Sequence, residues 1–270
     1  MKEKHYVYLA GLIDGDGCIN ASIAESDGHK WYRLHISINS VNPKVINRLE
    51  QLFGGKSNKR IRPHYKQGFI WEWRLIIKQS VKNLLENVAP FLVIKQPQAE
   101  IGIEFLKLSG SCPEKREEMI REIQKLNQSQ ENNLPLKDFG KSNWIYLAGI
   151  MDAEGTFTIR KDYLENGIHY GIWARLGNTN KRLITWLETF FSTTAKTIED
   201  DKSYYWPLPY EAKEKEKFIL NLLPYLVTKK EQAKTLLEYI RLNGQQNPDK
   251  REELYKKCFE LNHPVLQAVT

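Results

Sequence analysis

Cysteine is scarce in this sequence, and long apolar runs are missing. The three cysteines in 270 residues, Cys18, Cys112 and Cys258, lie far apart and form no Cys-x-x-Cys pair. They fit neither a disulfide framework nor a zinc site, and a reducing compartment is the simplest interpretation. No stretch approaches the roughly 20 apolar residues that cross a bilayer. The charged start Met1-Lys2-Glu3-Lys4 leads directly into a patterned segment, so we expect neither a signal peptide nor a transit peptide.

The composition allows a well-packed core and favours a polyanionic partner. Hydrophobic residues make up 41% and aromatic residues 11% of the chain, which is long enough for two ordinary domains or one large one. The net charge is +7, with a pI near 9.1. A positive excess of this size favours binding to a polyanion without identifying one.

The sequence repeats itself. The segment Tyr8-Leu-Ala-Gly-Leu-Ile-Asp-Gly-Asp-Gly17 returns 138 positions later as Tyr146-Leu-Ala-Gly-Ile-Met-Asp-Ala-Glu-Gly155. Two further blocks, which begin at Phe91 and Pro113, return after shifts of 134 and 135 positions. Three ordered blocks at nearly one shift indicate a duplicated unit, and two copies predict a pseudo-symmetric pair. We predict a first unit over residues 1–127, a polar linker over 128–142 and a second unit over 143–270.

Each unit has the pattern of an α+β fold with the order αββαββα. In the first unit we predict a helix over residues 5–14, closed by the turn Gly-Asp-Gly, and strands over 18–24 and 31–40. A helix near Pro43 ends at Gly54-Gly55, and strands follow over 58–65 and 69–77. Helices near 81–87, 96–108 and 114–127 complete the unit. The second unit follows the same order.

Small residues recur at helical spacing in both copies of the first block. Gly11 and Gly15 are four apart, as are Gly149 and Ala153, so each predicted helix carries a stripe along which two backbones can approach closely. Asp16 and Glu154 lie just past the predicted helix ends. Close packing of the helices would therefore bring two carboxylates together, where they repel unless a cation lies between them. Hard oxygen ligands suit Mg²⁺, or Mn²⁺ in its place.

Residues 9–17 resemble the LAGLIDADG motif almost letter for letter, and residues 147–155 do so with Glu154 in the final acidic place. Because one copy opens each unit, the chain resembles the single-chain LAGLIDADG homing endonucleases over nearly its whole length. The resemblance implies two tandem units related by pseudo-two-fold symmetry, with the motif helices at the centre and two antiparallel sheets forming a DNA-binding saddle. It also implies a monomer that makes a metal-dependent staggered double-strand cut, with short 3′ overhangs, in a long asymmetric DNA target.

The resemblance also implies roles for individual residues. It implies metal-binding positions at Asp16 and Glu154, with Gly15 and Ala153 beside them. Matching lysines, Lys95 and Lys229, stand where the family keeps a lysine beside the active site. The family also places Gln or Asn at the end of the second strand to hold a water. Asn178 fits that pattern in the second unit, whereas Ser40 departs from it in the first. For Asp14 and Asp152 we favour helix capping over metal binding.

Alternation along the predicted strands marks one face of each sheet as a DNA-reading surface. Arginine contacts to guanine and asparagine contacts to adenine are the base contacts to expect there. Other lysines and arginines would hold phosphates and make the affinity depend on salt. We expect the tryptophans and tyrosines to lie in the core. The candidate DNA-binding residues are Asn20, Ser22, Arg33, His35, Ser37, Arg60, Arg62, His64, Glu72, Arg74, Thr158, Arg160, Arg175 and Lys196.

Two other functions remain open at this point. One is an RNA maturase that helps an intron to splice, either alone or together with nuclease activity. The other is a DNA-binding protein of the same fold that does not cut. Retention of both Asp16 and Glu154 favours the endonuclease. We expect it to be encoded within an intron. We expect the protein to act where it is made, in a chloroplast or mitochondrion if an organelle encodes it, and otherwise in a prokaryotic cytoplasm.

Overall fold

A computed structural model describes residues 2–65, 68–108, 112–129, 132–165, 167–191, 198–200, 203–209, 211–242 and 247–263. The chain divides into two compact units, Met1–Ala153 and Glu154–Thr270. The helix that opens the second sequence repeat therefore packs in the first unit, apart from its last residue. No helix in the described ranges is both long and apolar enough to cross a membrane.

The first unit follows the predicted order of helices and strands. Its elements are α1 (Glu3–Asp16), β1 (Gly17–Ser26), β2 (His29–Ser40), α2 (Pro43–Phe53), β3 (Lys56–Ile61), β4 (Phe69–Leu75), α3 (Lys78–Val88), α4 (Gln96–Lys107), α5 (Pro113–Ser129) and α6 (Asn143–Glu154). Two short 3₁₀ turns, Ala89–Phe91 and Gly140–Ser142, precede α4 and α6. The predicted α+β class is confirmed.

The second unit repeats the succession that follows α1, from the first strand to the last helix before α6. Its elements are β5 (Gly155–Leu164), β6 (Gly167–Asn178), α7 (Lys181–Phe190), β7 (Ile198–Asp200), β8 (Ser203–Pro207), α8 (Ala212–Leu222), α9 (Lys230–Arg241) and α10 (Pro248–Asn262). The described strands form one four-stranded antiparallel sheet in each unit, with the orders β1-β2-β4-β3 and β5-β6-β8-β7.

The sheet of the first unit has one apolar face and one polar face. Ile19, Leu34, Ile36 and Ile38 alternate with polar residues along β1 and β2, and their side chains are buried. The two strands meet in a tight turn whose central residues, Asp27 and Gly28, both have positive φ angles of 52° and 73°. That combination is typical of the hairpin turn whose twist matches the strands.

In both units, an asparagine side chain caps the start of the helix that follows the second strand. Asn42 accepts a hydrogen bond from the Lys44 amide at the start of α2, and Asn180 accepts one from the Arg182 amide at the start of α7, both at 2.9 Å. Apolar residues at helical spacing bury one face of α2. The predicted helix near Pro43 is confirmed.

The last helix of each sequence repeat is hydrogen-bonded to the sheet of that repeat in the same way. The Asn127 side chain on α5 donates to the Ile19 carbonyl at 3.0 Å, and the Asn262 side chain on α10 donates to the Phe157 carbonyl at 3.0 Å. A second pair of contacts is also duplicated. Glu117 accepts from Lys30 and Tyr32, whereas Glu252 accepts from Lys161 and Tyr170. The duplication is therefore visible in contacts as well as in sequence.

Two of the predicted boundaries are wrong. The predicted Gly-Asp-Gly turn does not form, because α1 continues to Asp16 and only Gly17 leaves the helix, with φ −86° and ψ 162°. The Gly17 amide still donates to the Leu12 and Ile13 carbonyls, so the chain passes directly into β1. The strand predicted over 58–65 ends at Ile61, because the Arg62 amide donates to the Gly68 carbonyl and a turn begins there.

Candidate active site and nucleic-acid interface

The two motif helices meet at their glycines. A Cβ atom on Gly11 would lie 2.2 Å from the Tyr146 carbonyl oxygen, and one on Gly149 would lie 2.2 Å from the Tyr8 carbonyl oxygen. Only glycine allows backbones to approach this closely. The small-residue stripes predicted from the sequence therefore bring α1 and α6 into direct backbone contact within the first unit.

A reciprocal pair of buried hydrogen bonds joins the same helices. The Tyr8 hydroxyl donates to Asp152 Oδ2 at 2.7 Å, and the Tyr146 hydroxyl donates to Asp14 Oδ2 at 2.8 Å. Burial, followed by the charge of Asp152 and the hydrogen bond to it, raises the pKa of Tyr8 well above its ordinary value. Tyr8 and Tyr146 are equivalent motif positions, as are Asp14 and Asp152, so the contact has local two-fold character.

Asp14 holds the chain that leads into α4. Its carboxylate accepts hydrogen bonds from the backbone amides of Val93, Ile94 and Lys95 at 2.6, 3.1 and 2.8 Å. Burial raises the pKa of Asp14, although the nearby Lys95 charge and these donors oppose the rise. Asp14 therefore anchors the segment that precedes α4, and the predicted capping of its own helix is not seen among the described contacts.

Lys95 reaches back to the end of the first motif helix. Its Nζ donates to the Ile13 and Asp14 carbonyl oxygens, both at 2.8 Å. A cation at the C-terminal end of a helix is stabilised by the partial negative charge of the last carbonyl groups. The ammonium group is thereby placed within the last turn of α1, the turn that ends in Asp16.

Lys229 occupies the equivalent backbone position in the second unit. It is the N-cap of α9 with φ −100° and ψ 16°, and Lys95 is the N-cap of α4 with φ −95° and ψ 20°. The carbonyl of each lysine accepts the amide of the alanine four residues later, at 3.1 Å for Ala99 and 3.0 Å for Ala233. The pair predicted from the repeat is thus equivalent in backbone geometry.

The two acidic residues end the two motif helices. Asp16 is exposed and is the last residue of α1, and Glu154 is half-buried and is the last residue of α6. Gly15 and Ala153, which precede them, are half-buried. The prediction that the acids lie just past the helix ends is wrong, since both helices include them. A carboxylate at the negative end of a helix is a favourable environment for a cation.

The donor chemistry at these helix ends suits a hard divalent cation. Carboxylate oxygens are the ligands that Mg²⁺ prefers, and one or two of them suffice where phosphate oxygens supply the others. In the part of the chain that the structure describes, no three His, Cys, Asp or Glu side chains gather into a cage of protein ligands alone. Each of the two helix ends thus offers one carboxylate of the ligand type that a hard divalent cation takes.

Asn178 and Ser40 play the same local role at the ends of β6 and β2. Asn178 Oδ1 accepts from the Asn180 amide at 2.7 Å, and Ser40 Oγ accepts from the Asn42 amide at 3.1 Å. Both contacts shape the turn before the next helix. The water-holding role of Asn178 stays a prediction.

The polar face of the first sheet brings most of the predicted DNA-binding residues together. The register pairs Asn20 with His35, Ser22 with Arg33 and Ser37 with Arg74, so all six share a face. Ser37 is buried, with only 7% of its surface exposed. Arg60, Glu72 and Arg74 come from β3 and β4 on the same face. Arg62 and His64 lie beyond β3 and are exposed.

Three polar residues of this face were not predicted. They are Asn39, Asn58 and Lys56. Asn39 and Asn58 both pair with Glu72, and Lys56 pairs with Arg74, so all three lie on the polar face. The signal for Asn39 was present in the sequence, because it continues the alternation Arg33, His35 and Ser37 by one step. Lys56 and Asn58 required the strand pairing, which the sequence pattern alone does not provide.

Glu72 was predicted as a contact residue, but the structure gives it a different position. Its side chain is 6% exposed and forms ion pairs with Arg60 Nη2 at 2.7 Å and Arg74 Nη2 at 2.9 Å. His35 lies near this group, and burial followed by the Arg74 charge lowers its pKa. The carboxylate therefore faces two guanidinium groups rather than an open surface.

In the second sheet, two arginine side chains form cation–π contacts with aromatic rings. The Arg160 guanidinium lies 4.1 Å from the Trp173 ring centre, and the Arg175 guanidinium lies 4.6 Å from Trp173 and 4.3 Å from Tyr205. Thr158 pairs with Trp173 on the same face. The expectation that tryptophans lie in the core holds for Trp73, Trp186 and Trp206 but is wrong for Trp31, which is 55% exposed, and for Trp173, which lies on the polar face with Arg175. Lys196 lies outside the described residues.

The sequence comparisons agree with the motifs. A sequence model of the LAGLIDADG endonuclease family matches residues 9–108. The chain is 25% identical over 108 residues to the DNA endonuclease I-CvuI of Chlorella vulgaris, over 38% of this chain and 63% of that protein. It is 27% identical over 117 residues to the DNA endonuclease I-CreI of Chlamydomonas reinhardtii, over 42% of this chain and 69% of that protein. The match thus spans slightly less than two thirds of the Chlorella protein.

Solved structures share the fold over nearly the whole chain. The meganuclease I-SmaMI bound to uncleaveable DNA has a TM-score of 0.74 at 13% identity, and the match covers 97% of this chain and 100% of that one. I-SmaMI bound to an uncleaved DNA target in the presence of calcium ions has a TM-score of 0.73 at 12% identity, with coverages of 95% and 98%. The meganuclease I-AabMI bound to uncleaved DNA has a TM-score of 0.69 at 15% identity, with coverages of 93% and 97%. These likenesses confirm the predicted fold.

Proposed function

We propose that this chain, which matches the LAGLIDADG endonuclease family over residues 9–108, is a site-specific homing endonuclease that cuts both strands of double-stranded DNA. The observation that carries the proposal is the paired motif, in which two helices pack through Gly11 and Gly149 and end in acidic residues. The relatives I-CvuI and I-CreI are DNA endonucleases, and I-SmaMI has been solved in complex with a DNA target.

The proposed reaction centre consists of Asp16 and Glu154, one acid from each sequence repeat, with Gly15 and Ala153 beside them. These carboxylates would hold Mg²⁺, with Mn²⁺ able to substitute, against the scissile phosphate. The cation would supply Lewis acidity and neutralise negative charge at the phosphate. Glu154 supplies the same carboxylate ligand as Asp16, but its side chain is longer by one methylene group.

The two lysines and Asn178 would complete the centre. Lys95 places an ammonium group in the last turn of α1, where positive charge can stabilise the negative charge that develops at the phosphate. Lys229 would do the same in the second unit, given its equivalent backbone position. The Asn178 carboxamide would orient a water molecule for attack.

The DNA target would be long and asymmetric, and a monomer would read it. The two sheet faces carry different side chains at equivalent positions, so they suit two different half-sites. A dimer of identical subunits would instead require near-palindromic DNA. A staggered cut with short 3′ overhangs and an origin within an intron are further parts of the proposal, and they follow from the family resemblance.

The test is a selection from a randomised duplex DNA library, with Mg²⁺ or with EDTA, followed by sequencing of the ends. We expect metal-dependent ends at one long motif, and we expect Asp16→Asn and Glu154→Gln to abolish them. Glu104→Gln is the matched control, because it also removes a carboxylate but lies exposed on α4, beside Lys107.

The other outcomes distinguish the alternative functions. Retention of a specific duplex without cutting would contradict the endonuclease and indicate a DNA-binding protein of the same fold. Absence of both cutting and duplex selection would make an intron RNA maturase the leading function, with structured intron RNA as the next substrate. Cutting that persists in EDTA would contradict metal dependence.

A further inference from the structure

Glu72 lies nearly buried on a sheet face that also carries the basic side chains of Arg33, Arg60 and Arg74. We propose that Glu72 is a positioning residue that presents Arg60 and Arg74 as a pair of guanine-reading side chains. The inference rests on the proposed function, because it assigns base specificity to one part of the proposed DNA surface.

The contacts of Glu72 are those of a bridge between two strands. Its Oε2 pairs with Arg60 of β3 at 2.7 Å, and its Oε1 pairs with Arg74 of β4 at 2.9 Å. The arginine side chains are 38% and 35% exposed, whereas the carboxylate that joins them is 6% exposed. Each ion pair uses one terminal nitrogen, Nη2, of a guanidinium group that carries five N–H donors.

The charge balance of the group suits a surface that approaches DNA. A lone carboxylate there would repel phosphate, but two guanidinium groups against one carboxylate leave a net positive charge. The carboxylate also restricts two long side chains that would otherwise lose rotamer freedom on binding, and this lowers the entropy cost of recognition. A preorganised guanidinium fork matches the O6 and N7 acceptors of guanine in the major groove.

The second unit has an arginine-holding residue at the equivalent position of its sheet. Asn39 pairs with Glu72 and Gly177 pairs with Tyr205, and Asn39 and Gly177 are related by the same shift of 138 positions as the motifs. Tyr205 holds Arg175 at 4.3 Å through its ring. The same place in both sheets therefore orients an arginine, by an ion pair in one unit and by a cation–π contact in the other.

The test compares base preferences of the wild type and Glu72→Gln in a selection from a randomised duplex library, with binding measured at several salt concentrations. In the wild type we expect guanine at two positions read by the first unit. Glu72→Gln should lower the guanine preference at these positions about tenfold, as the loss of one good bidentate contact would. Non-specific binding should stay equal or become tighter, because the substitution removes a negative charge from the DNA-facing surface.

Matched variants separate positioning from folding. Arg74→Lys keeps the positive charge but lacks the fork, so it should lose the guanine preference at one position and retain the salt dependence. Tyr205→Leu should change preferences only in the other half of the target. Melting temperatures of all variants are measured alongside, and Arg74→Lys decides the question if Glu72→Gln does not fold.

Two results would overturn the inference in distinguishable ways. If the wild type selects a target and Glu72→Gln or Arg74→Lys selects the same bases with the same preference, Glu72 does not position base-reading arginines, and the proposed function stands. If the wild type selects no duplex, both the proposed function and this inference fail.

Discussion

Replacing Gly11 by alanine should force the two motif helices apart. The added Cβ atom would lie 2.2 Å from the Tyr146 carbonyl oxygen and 2.9 Å from the Ile150 amide nitrogen. Both are backbone atoms, so no side chain can rotate away. Since non-bonded atoms prefer about 3.5 Å or more, the helices would have to separate by about 1 Å. Overpacking of this kind costs about 3 kcal/mol, which corresponds to a fall in Tm of roughly 10 °C.

Urea unfolding of Gly11→Ala, Gly149→Ala and the double variant measures the effect. The two glycines face each other, with the Cβ of each variant 3.1 Å from the other glycine's Cα. Once one substitution has separated the helices, the second should cost much less, so the double variant should be less destabilised than the sum of the two. Gly171→Ala is the matched control, because its Cβ would have no neighbour within 4 Å. Equal stability of Gly11→Ala and Gly171→Ala, or strict additivity, would refute the reasoning.

Three further predictions concern single side chains. Tyr8→Phe and Tyr146→Phe should each lower the free energy of unfolding by about 1–3 kcal/mol in urea titrations, because each leaves a buried aspartate without its hydroxyl donor; values near zero would contradict this. The hydrogen bonds from Lys161 and Tyr170 lower the pKa of Glu252 from 4.5. The stability that this carboxylate contributes is therefore present above pH 4.5. It is lost as the pH falls through the lowered pKa of the folded state. The free energies of unfolding of Glu252→Gln and the wild type, measured against pH, should therefore converge in acid. A difference between them that grows as the pH falls would contradict this. Lys95→Met should reduce the cleavage rate about 100-fold with little change in DNA affinity in single-turnover assays, whereas an unchanged rate would exclude Lys95 from the reaction.

The repeat made the general fold predictable. Two copies of one motif at a shift of 138 positions, alternation in the strands and Pro43 at a helix start were sufficient for element order and for the packing of small residues between helices. These signals are local or periodic, so a single sequence carries them. The roles of Asp14 and Lys95 were only partly predictable, because their partners lie about 80 positions away along the chain.

Side-chain pairing across the sheets could not be predicted. Glu72 looked like any polar residue on an exposed strand, and the strand pairing was needed to place Arg60 of β3 beside it, in addition to Arg74 of its own strand. Trp173 was expected in the core, but it alternates with Arg175 along β6 and pairs with Thr158, so it lies on the polar face. Alternation along a strand assigns a residue to a face, but it does not show which arginine side chains that residue contacts.

The central claim is that one acid from each repeat serves a single double-strand cut. The most direct measurement is cleavage of a supercoiled plasmid that carries the selected target, in Mg²⁺, by the wild type, Asp16→Asn and Glu154→Gln, with target binding measured in parallel. We expect linear product for the wild type and none for either variant, while both variants still bind the target. Linear product from either variant at the wild-type rate would contradict this claim.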